Sequence, residues 1–265
     1  DGNTDINSDA QISVSSTGSI TASGTGTIDL SADEGIDLNA ALTTAGQDIT
    51  LDADADADAS GTLDIDANGD LSTGGGTGGD IVLKSADLTI AAGGTLTAGT
   101  TAVIEFSTSN VTSDMLIGAD AGAGNYDLDD TELAQIQAAD VIRFGTTDGA
   151  ASGTMTFRTA TSPLSSEEIE INSSGTITLD DEGSAIALAT GGTGTIDINL
   201  NFGSGGTLTV TNGDNTFADL STTNLIDIDG TNGDIGSEAN PVQFPTADNR
   251  LQITTTGGNI FIAGL

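Results

Sequence analysis

Gly26-Thr27-Ile28-Asp29-Leu30 is the stretch that decides the fold: a glycine, a small polar residue, and then aliphatic residues at alternate positions. Variations of this phrase recur along the 265-residue chain, starting at Gly18, Gly26, Gly61, Gly79, Gly94, Gly175, Gly194 and Gly206. Each copy predicts a half-buried strand that is too short to bury a core alone, so the copies must stack on one another. The repeats therefore predict an all-β fold, a β-solenoid of roughly nine to thirteen coils.

The phrases form two repeat-rich stretches around a different middle. Inward pairs such as Ile28 and Leu30 recur on both sides of it, with Thr, Asp or Ser at the alternate, outward positions. Residues 107–168 break the rhythm, and residues 129–136 have helical spacing behind possible caps, which predicts a short helical turn. We interpret 107–168 as decorated coils within one continuous solenoid over residues 1–265. We expect the chain to be a section of a longer one.

The charge balance is extreme, with 40 Asp and Glu residues, no histidine, and a formal net charge of −36. Nucleic acid binding needs clustered cationic side chains that displace counterions from phosphates. The chain offers only four scattered ones, Lys84, Arg143, Arg158 and Arg250. Nucleic acid and anionic membranes are therefore excluded as partners, whereas cations suit such a surface. No apolar run could insert into a membrane, and no cysteine is available for disulfides or thiol-ligated metals.

Catalysis has to be considered because some parallel β-helices cleave polysaccharides, and paired carboxylates can serve as general acid and base. Asp129-Asp130, Asp180-Asp181 and Asn3-Thr4-Asp5 superficially match the polygalacturonase constellation. That family also uses a Gly-His-Gly and an Arg-x-Lys element, and neither is present. Adjacent acids are expected by chance among so many, and without histidine a Ser-His-Asp triad is impossible. We therefore predict that the chain is not an enzyme and has no catalytic residues.

A run of alternating acids, residues 52–59, is the candidate metal site. Because it follows Ile49-Thr50-Leu51, strand alternation would place its alanines inside and its carboxylates in a row outside, those of Asp52, Asp54, Asp56 and Asp58. Ca²⁺ takes about six to eight oxygen ligands, but carboxylates two residues apart on a strand lie about 6 to 7 Å apart. Two of them could share an ion only with help from another coil. A solvated acidic face is the default interpretation, a weak Ca²⁺ site is the alternative, and no cofactor is required.

The phrases resemble the repeat region of filamentous haemagglutinin-type exoproteins, large surface adhesins exported by Gram-negative bacteria. Two longer stretches carry the likeness further. Residues 115–157 and residues 225–263 each resemble modules that recur in giant bacterial surface proteins, the second through Gly233-Asp234-Ile235-Gly236 and Asn240-Pro241. The resemblance implies a right-handed parallel β-helix shaft, a location outside the cell or on its surface, and an adhesive or structural role.

Three classes of function follow from these observations. The first is a non-catalytic structural shaft or adhesin segment of a large secreted, fibre-forming surface protein. Its partners would be neighbouring repeats or other copies in a fibre, surface glycans, or receptors on host or neighbouring cells. The second is a glycan-binding or polysaccharide-cleaving β-helix, which the scarcity of aromatic residues disfavours. The third is an ice-binding solenoid, whose flat face needs Thr-x-Thr in register on consecutive coils, a pattern that the irregular spacing of these phrases disfavours.

Overall fold

A computed structural model describes residues 2–74, 76–118, 126–147, 153–161, 168–181, 186–190, 194–200, 206–211, 218–245 and 250–264. Parts of the predicted middle region, 119–125, 148–152 and 162–167, lie outside the described residues. The strands up to the middle are β1 Thr4–Ser8, β2 Ile12–Val14, β3 Ile20–Thr21, β4 Ile28–Ala32, β5 Gly35–Leu38, β6 Leu42–Thr43, β7 Ile49–Asp52, β8 Thr62–Ile65, β9 Leu71–Ser72, β10 Ile81–Ser85, β11 Asp87–Ile90, β12 Leu96–Thr97, β13 Val103–Thr108, β14 Met115–Gly118 and β15 Tyr126–Leu128. A short helix, α1 Asp130–Leu133, precedes β16 Ile136–Ala138, β17 Val141–Phe144, β18 Met155–Arg158, β19 Ala160–Thr161, β20 Glu168–Asn172, β21 Thr176–Asp180, β22 Leu188–Ala189, β23 Ile196–Leu200, β24 Thr207–Thr211, β25 Leu220–Ser221, β26 Leu225–Gly230, β27 Val242–Phe244, β28 Arg250–Thr255 and β29 Ile262–Gly264.

One ten-stranded parallel sheet runs the length of the chain, in the order β1-β4-β7-β10-β13-β17-β20-β23-β26-β28. We call it the long sheet, and each of its strands marks one coil. Its strands stack in register, so that one inward position forms a column of buried isoleucines, namely Ile28, Ile49, Ile81, Ile104, Ile142, Ile169, Ile196 and Ile226. The ten coils that the described residues form confirm the predicted all-β parallel β-helix and fall within the predicted number. At about 4.8 Å per strand the long sheet extends for roughly 45 Å.

The other faces of the solenoid are built from shorter sheets. Two of them, β11-β8-β5-β2 and β16-β12-β9-β6-β3, consist mainly of strands that precede the middle, and the others, β15-β14-β18-β21-β24, β19-β22-β25 and β27-β29, consist of strands within and after it. All of these strand pairs are parallel, as expected when each coil repeats the path of the one before. The inward aliphatic side chains of the repeated phrases form one continuous core, with Ile20 only partly buried against it, which confirms their predicted inward orientation.

The middle region contains the predicted helical turn, α1, and a different kind of core. Asp129 caps the helix in a capping box with Glu132, the arrangement that the spacing of these acids favours. Aromatic rings fill the core at this level. Phe144 stacks on Phe106 at 5.7 Å between ring centroids and meets Phe157 edge-on at 5.4 Å. The predicted decorated coils are therefore packed by larger side chains than the regular coils on either side.

Candidate metal site

The acidic run leaves the solenoid wall immediately after β7. Alternation continues only as far as Ala53, which is buried, and the next residue, Asp54, is fully buried as well. Ala55 and Ala59 are exposed, so the prediction of inward alanines and an outward row of four carboxylates is wrong beyond Ala53. Ala57 and Ala59 have positive φ angles of 56° and 69°, which no regular strand contains. Residues 54–60 therefore form an excursion from the wall, which we call the acidic loop.

The acidic loop closes because the chain returns to the point that it left. Gly61 lies so close to Ala53 that a Cβ atom on Gly61 would stand 1.8 Å from the carbonyl oxygen of Ala53, a distance that only glycine permits. Its own carbonyl then accepts the amide N–H of Ala86 in the next coil at 2.9 Å. The wall is thus continuous beneath the loop, and the seven residues between Ala53 and Gly61 do not have to adopt strand conformation.

Two later residues hold the acidic loop in place. The hydroxyl of Ser109 donates to Oδ2 of Asp54, and the side-chain amide of Asn110 donates to the carbonyl of Ala57 at 3.5 Å. Within the loop, the amide N–H of Ala59 donates to the same Oδ2 at 3.0 Å. Ser109 follows β13, and Asp54 follows β7, so these contacts connect coils that are two strands apart on the long sheet.

Three of the four predicted ligands come together in the acidic loop. One carboxylate oxygen from each of Asp54, Asp56 and Asp58 lies within 4.8 Å of the others, and no other such group of three occurs in the part of the chain that the structure describes. Local desolvation and the charges of Asp58 and Asp33 raise the pKa of Asp56. Oδ1 of Asp54 is buried and has no hydrogen-bond partner. The arrangement offers oxygen ligands around a concentration of negative charge.

Asp52, the fourth predicted ligand, belongs to a different interaction. It is the last residue of β7, and its Oδ2 accepts the ammonium group of Lys84 at 2.8 Å. Lys84 occupies the matching position on β10, so the ion pair spans two adjacent coils. Of the four carboxylates that the sequence predicted in one row, three therefore form a cluster and the fourth, that of Asp52, forms a salt bridge.

Three of the residues that superficially matched a glycosidase, one from each motif, have structural partners. Asp129 accepts the amide N–H groups of Thr131 and Glu132 as the helix cap. Asp180 forms a salt bridge with Arg158 at 3.0 Å. The side-chain carbonyl of Asn3 accepts the amide N–H of Thr27 at 3.3 Å.

Sequence reasoning missed a second group of unusual acids. Burial, opposed by hydrogen bonds from the amides of Asp129 and Ile90, raises the pKa of Glu132 to about 7. Burial and the neighbouring carboxylate of Asp87 raise the pKa of Asp127 to about 6. The capping-box spacing locates Glu132, but nothing in the sequence brings Asp87 to Asp127, which follows it by 40 residues.

The outward face of the long sheet carries a column of acids that the sequence also did not reveal. Arg143 bridges Glu105 at 3.1 Å and Glu170 at 2.8 Å on the adjacent strands, and the next positions are Asp197 and Asp227. Burial and the surrounding carboxylates raise the pKa of Asp197 to about 6. In-register stacking places like charges beside one another wherever no arginine intervenes.

Threonines form a short ladder on the sheet that follows the middle. Thr156, Thr178 and Thr209 occupy matching positions on β18, β21 and β24, and the hydroxyls of Thr178 and Thr209 are 3.2 Å apart. The expectation of an irregular array is wrong for these three coils, because the extra residues between the phrases lie between strands and leave the register intact. Leu116 and Gly236 flank the ladder, so it ends after three coils.

No family model, curated protein or solved structure matches the chain. Among the described residues, no helix is long and apolar enough to cross a bilayer.

Proposed function

We propose that this chain is a non-catalytic structural shaft or adhesin segment of a large, fibre-forming surface protein of the filamentous haemagglutinin type. The observation that carries the proposal is the long sheet, ten parallel strands in register over one aliphatic core. A stack of this kind maintains a fixed direction and spacing along its axis, because each coil contacts its neighbours through a continuous ladder of hydrogen bonds. Spanning distance is a function that such an architecture performs without a specialised site.

The surface chemistry supports the same role. Three of the four basic residues lie in ion pairs between coils, so the remaining surface is strongly acidic. A large net charge keeps a long protein soluble and disfavours unspecific collapse between fibres. Glu132, whose pKa is raised to about 7, is engaged structurally, because it accepts main-chain N–H groups with both carboxylate oxygens.

The proposed partners are neighbouring repeats or other copies in a fibre, and glycans or receptors outside the cell. The outer strands of the long sheet favour the first class. β1 and β28 each pair on one side only among the described residues, and they present the partly exposed aliphatic side chains of Ile6 and Leu251. Unpaired strand edges of this kind are templates for further strands.

Immunogold electron microscopy of intact cells of the source organism tests this proposal. Antibodies raised against the chain should label filaments at the cell surface without permeabilisation, and a parallel assay for release of reducing ends from polysaccharides should show no activity. Labelling that requires permeabilised cells would contradict the location. Polysaccharide cleavage by the purified chain would contradict the non-catalytic role.

The threonine ladder supports a second candidate, ice binding, because Thr-x-Thr phrases at 176–178 and 207–209 stand in register. The ladder is only three coils long at Thr156, Thr178 and Thr209, so any activity should be weak. Thermal hysteresis of the purified chain, compared with Thr178→Val/Thr209→Val, measures it. Hysteresis above that of a matched salt solution, and lost in the variant, would favour this candidate over a purely structural role.

A further inference from the structure

The acidic loop contains a buried carboxyl group, that of Asp54, and its protein neighbours satisfy only one of the two oxygens. Asp54 is 0% exposed, Oδ2 accepts two hydrogen bonds, and Oδ1 accepts none. A buried carboxylate is retained when it is paired with a cation, bound to a metal, or protonated. Lys84, the only lysine in the chain, is paired with Asp52 instead.

The orphaned oxygen belongs to the carboxylate that is clustered with two others. Asp54, Asp56 and Asp58 bring ligand oxygens within 4.8 Å of one another, and Asp56 and Asp58 are exposed, so an ion could enter from solvent. Three converging carboxylates repel one another, and a cation between them offsets that repulsion. A cation bound here would contact the unsatisfied Oδ1 of Asp54 and would also offset the repulsion among the three carboxylates.

We propose that Asp54, Asp56 and Asp58 bind one divalent cation, Ca²⁺, and that this ion ties the acidic loop to the solenoid wall. The donors are all oxygens, which favours hard cations and disfavours zinc or copper. Ca²⁺ accepts six to eight ligands in irregular geometry, so loop carbonyls and water can complete its shell. Mg²⁺ requires near-ideal octahedral geometry, and three carboxylates from one short irregular loop are less suited to it.

Sequence spacing sets the expected strength of the site. Ligands at alternate positions, followed by a residue with positive φ, resemble the first half of an EF-hand loop, with Ala59 in place of its glycine. The bidentate glutamate of the twelfth position has no equivalent, because Ile65 stands there and is buried in the core. A site that lacks this ligand belongs with the weaker extracellular modules, whose dissociation constants are about 10⁻⁴ to 10⁻³ M.

The ion would have a structural effect beyond the loop. Ser109 and Asn110 already contact the acidic loop from the coil of β13, and Ser109 shares the carboxylate of Asp54 with the proposed ion. Binding therefore fixes Asp54 in the orientation that Ser109 recognises. We infer that Ca²⁺ reinforces the connection between the coils of β7 and β13.

Calcium titration of the chelator-treated chain tests the proposal, with ionic strength held constant by NaCl and isothermal titration calorimetry as the measurement. One saturable Ca²⁺ per chain is expected, and MgCl₂ should bind more weakly. Asp56→Asn/Asp58→Asn should weaken Ca²⁺ binding by about tenfold or more. Asp64→Asn/Asp66→Asn is the matched control, because it removes the same charge at the same spacing from the same coil, and it should change the affinity by less than about twofold.

Asp54→Asn tests the buried ligand itself and should also weaken binding by about tenfold or more. If circular dichroism shows that this variant is unfolded, the exposed pair Asp56 and Asp58 carries the test alone. The proposal is overturned if no saturable Ca²⁺ uptake occurs at constant ionic strength. It is equally overturned if Asp56→Asn/Asp58→Asn binds like the wild type, or if the control variant loses as much affinity, since the latter would indicate a diffuse counterion atmosphere.

Discussion

The long sheet and the other faces of the solenoid pass through the middle of the chain in different ways. The long sheet continues without interruption, as β13 pairs directly with β17 although the sequence between them holds β14, β15, α1 and β16. The shorter sheets are replaced. The sheet β11-β8-β5-β2 ends before the middle, the sheet β16-β12-β9-β6-β3 ends within it at β16, and the sheet that contains β14 and β15 begins within it.

This difference shows that the long sheet alone is sufficient to keep successive coils stacked through the middle. Val103 and Val141 remain in register across the middle, while the aromatic side chains of Phe106, Phe144 and Phe157 fill the space left by the rearranged faces. The regular coils depend on repeated small contacts, and the middle depends on a few large ones. Substitutions should therefore have larger effects in the middle than in the regular coils.

Truncation of an aromatic residue in the middle is the largest expected effect. Phe144→Ala removes a buried ring that contacts two others, and it should lower the free energy of unfolding by about 3 to 5 kcal/mol. Ile196→Val, in a regular coil, should cost about 0.5 to 1.5 kcal/mol. Urea unfolding monitored by circular dichroism measures both. A cost for Phe144→Ala no larger than that of Ile196→Val would contradict the dependence of the middle on its aromatic rings.

A close contact between β14 and β18 gives the next largest effect. Gly118 has a φ angle of 107°, and a Cβ atom there would lie 2.0 Å from the carbonyl oxygen of Arg158. Gly118→Ala should cost at least about 2 kcal/mol, because it combines backbone strain with a clash against main chain. Gly2→Ala is the control, since nothing lies within 4 Å of its Cβ position. If the melting temperature of Gly118→Ala matched that of the control, the backbone at this contact would be able to shift at little cost, contrary to the prediction.

The arginine that links three coils of the long sheet gives an intermediate effect. Arg143→Met leaves Glu105 and Glu170 without their shared cation and should cost about 1 to 3 kcal/mol, because hydrogen bonds to charged groups are involved and the side chains are largely buried. Lys84→Met removes a more exposed pair and should cost about 0 to 1 kcal/mol. Chemical unfolding at low and moderate salt measures both. A larger loss for Lys84→Met would reverse the expected order.

The stability of both regions should depend on pH in the same direction. The pKa values of Glu132, Asp127 and Asp197 are raised to about 7, 6 and 6, so the folded chain binds more protons than the unfolded chain between about pH 4 and 7. Stability should therefore fall as the pH rises through this window. Asp127→Asn in the middle and Asp197→Asn on the long sheet should each flatten the dependence, as urea unfolding at pH 5, 6 and 7 would reveal. Stability that rises from pH 5 to 7 would contradict this reasoning.

The sequence was informative wherever a local pattern decides the structure. The alternation in 26–30 and its relatives identifies the strands and their inward side chains, and the spacing of Asp129 and Glu132 identifies the helix cap. The acidic loop could not be predicted, because the alternation of residues 52–59 is compatible with a strand. What interrupts the strand is the return of Gly61 onto Ala53, which is a tertiary contact.

Register between distant segments was the other property beyond reach of the sequence. Asp87 lies close to Asp127, which follows it by 40 residues, and Thr178 aligns with Thr209, which follows it by 31. The separations differ because the segments between stacked strands differ in length. Loop lengths between phrases vary, so the phrases alone do not number the coils. Glu132 could be placed at a helix cap from its spacing, but the raised pKa depends on burial against neighbours that only the fold assembles.

The continuity of the long sheet through the middle is tested most directly by paired cysteines, since the chain has none of its own. Val103 and Val141 are in-register partners, with Cα atoms expected about 4.8 Å apart, within the range of about 4.4 to 6.8 Å that a disulfide spans. Val103 and Glu168 are separated by a further strand and lie outside it. Under mild oxidation, Val103→Cys/Val141→Cys should form an intramolecular disulfide and Val103→Cys/Glu168→Cys should not. Failure of the first pair to oxidise, or equal oxidation of both pairs, would contradict a ladder that runs unbroken through the chain.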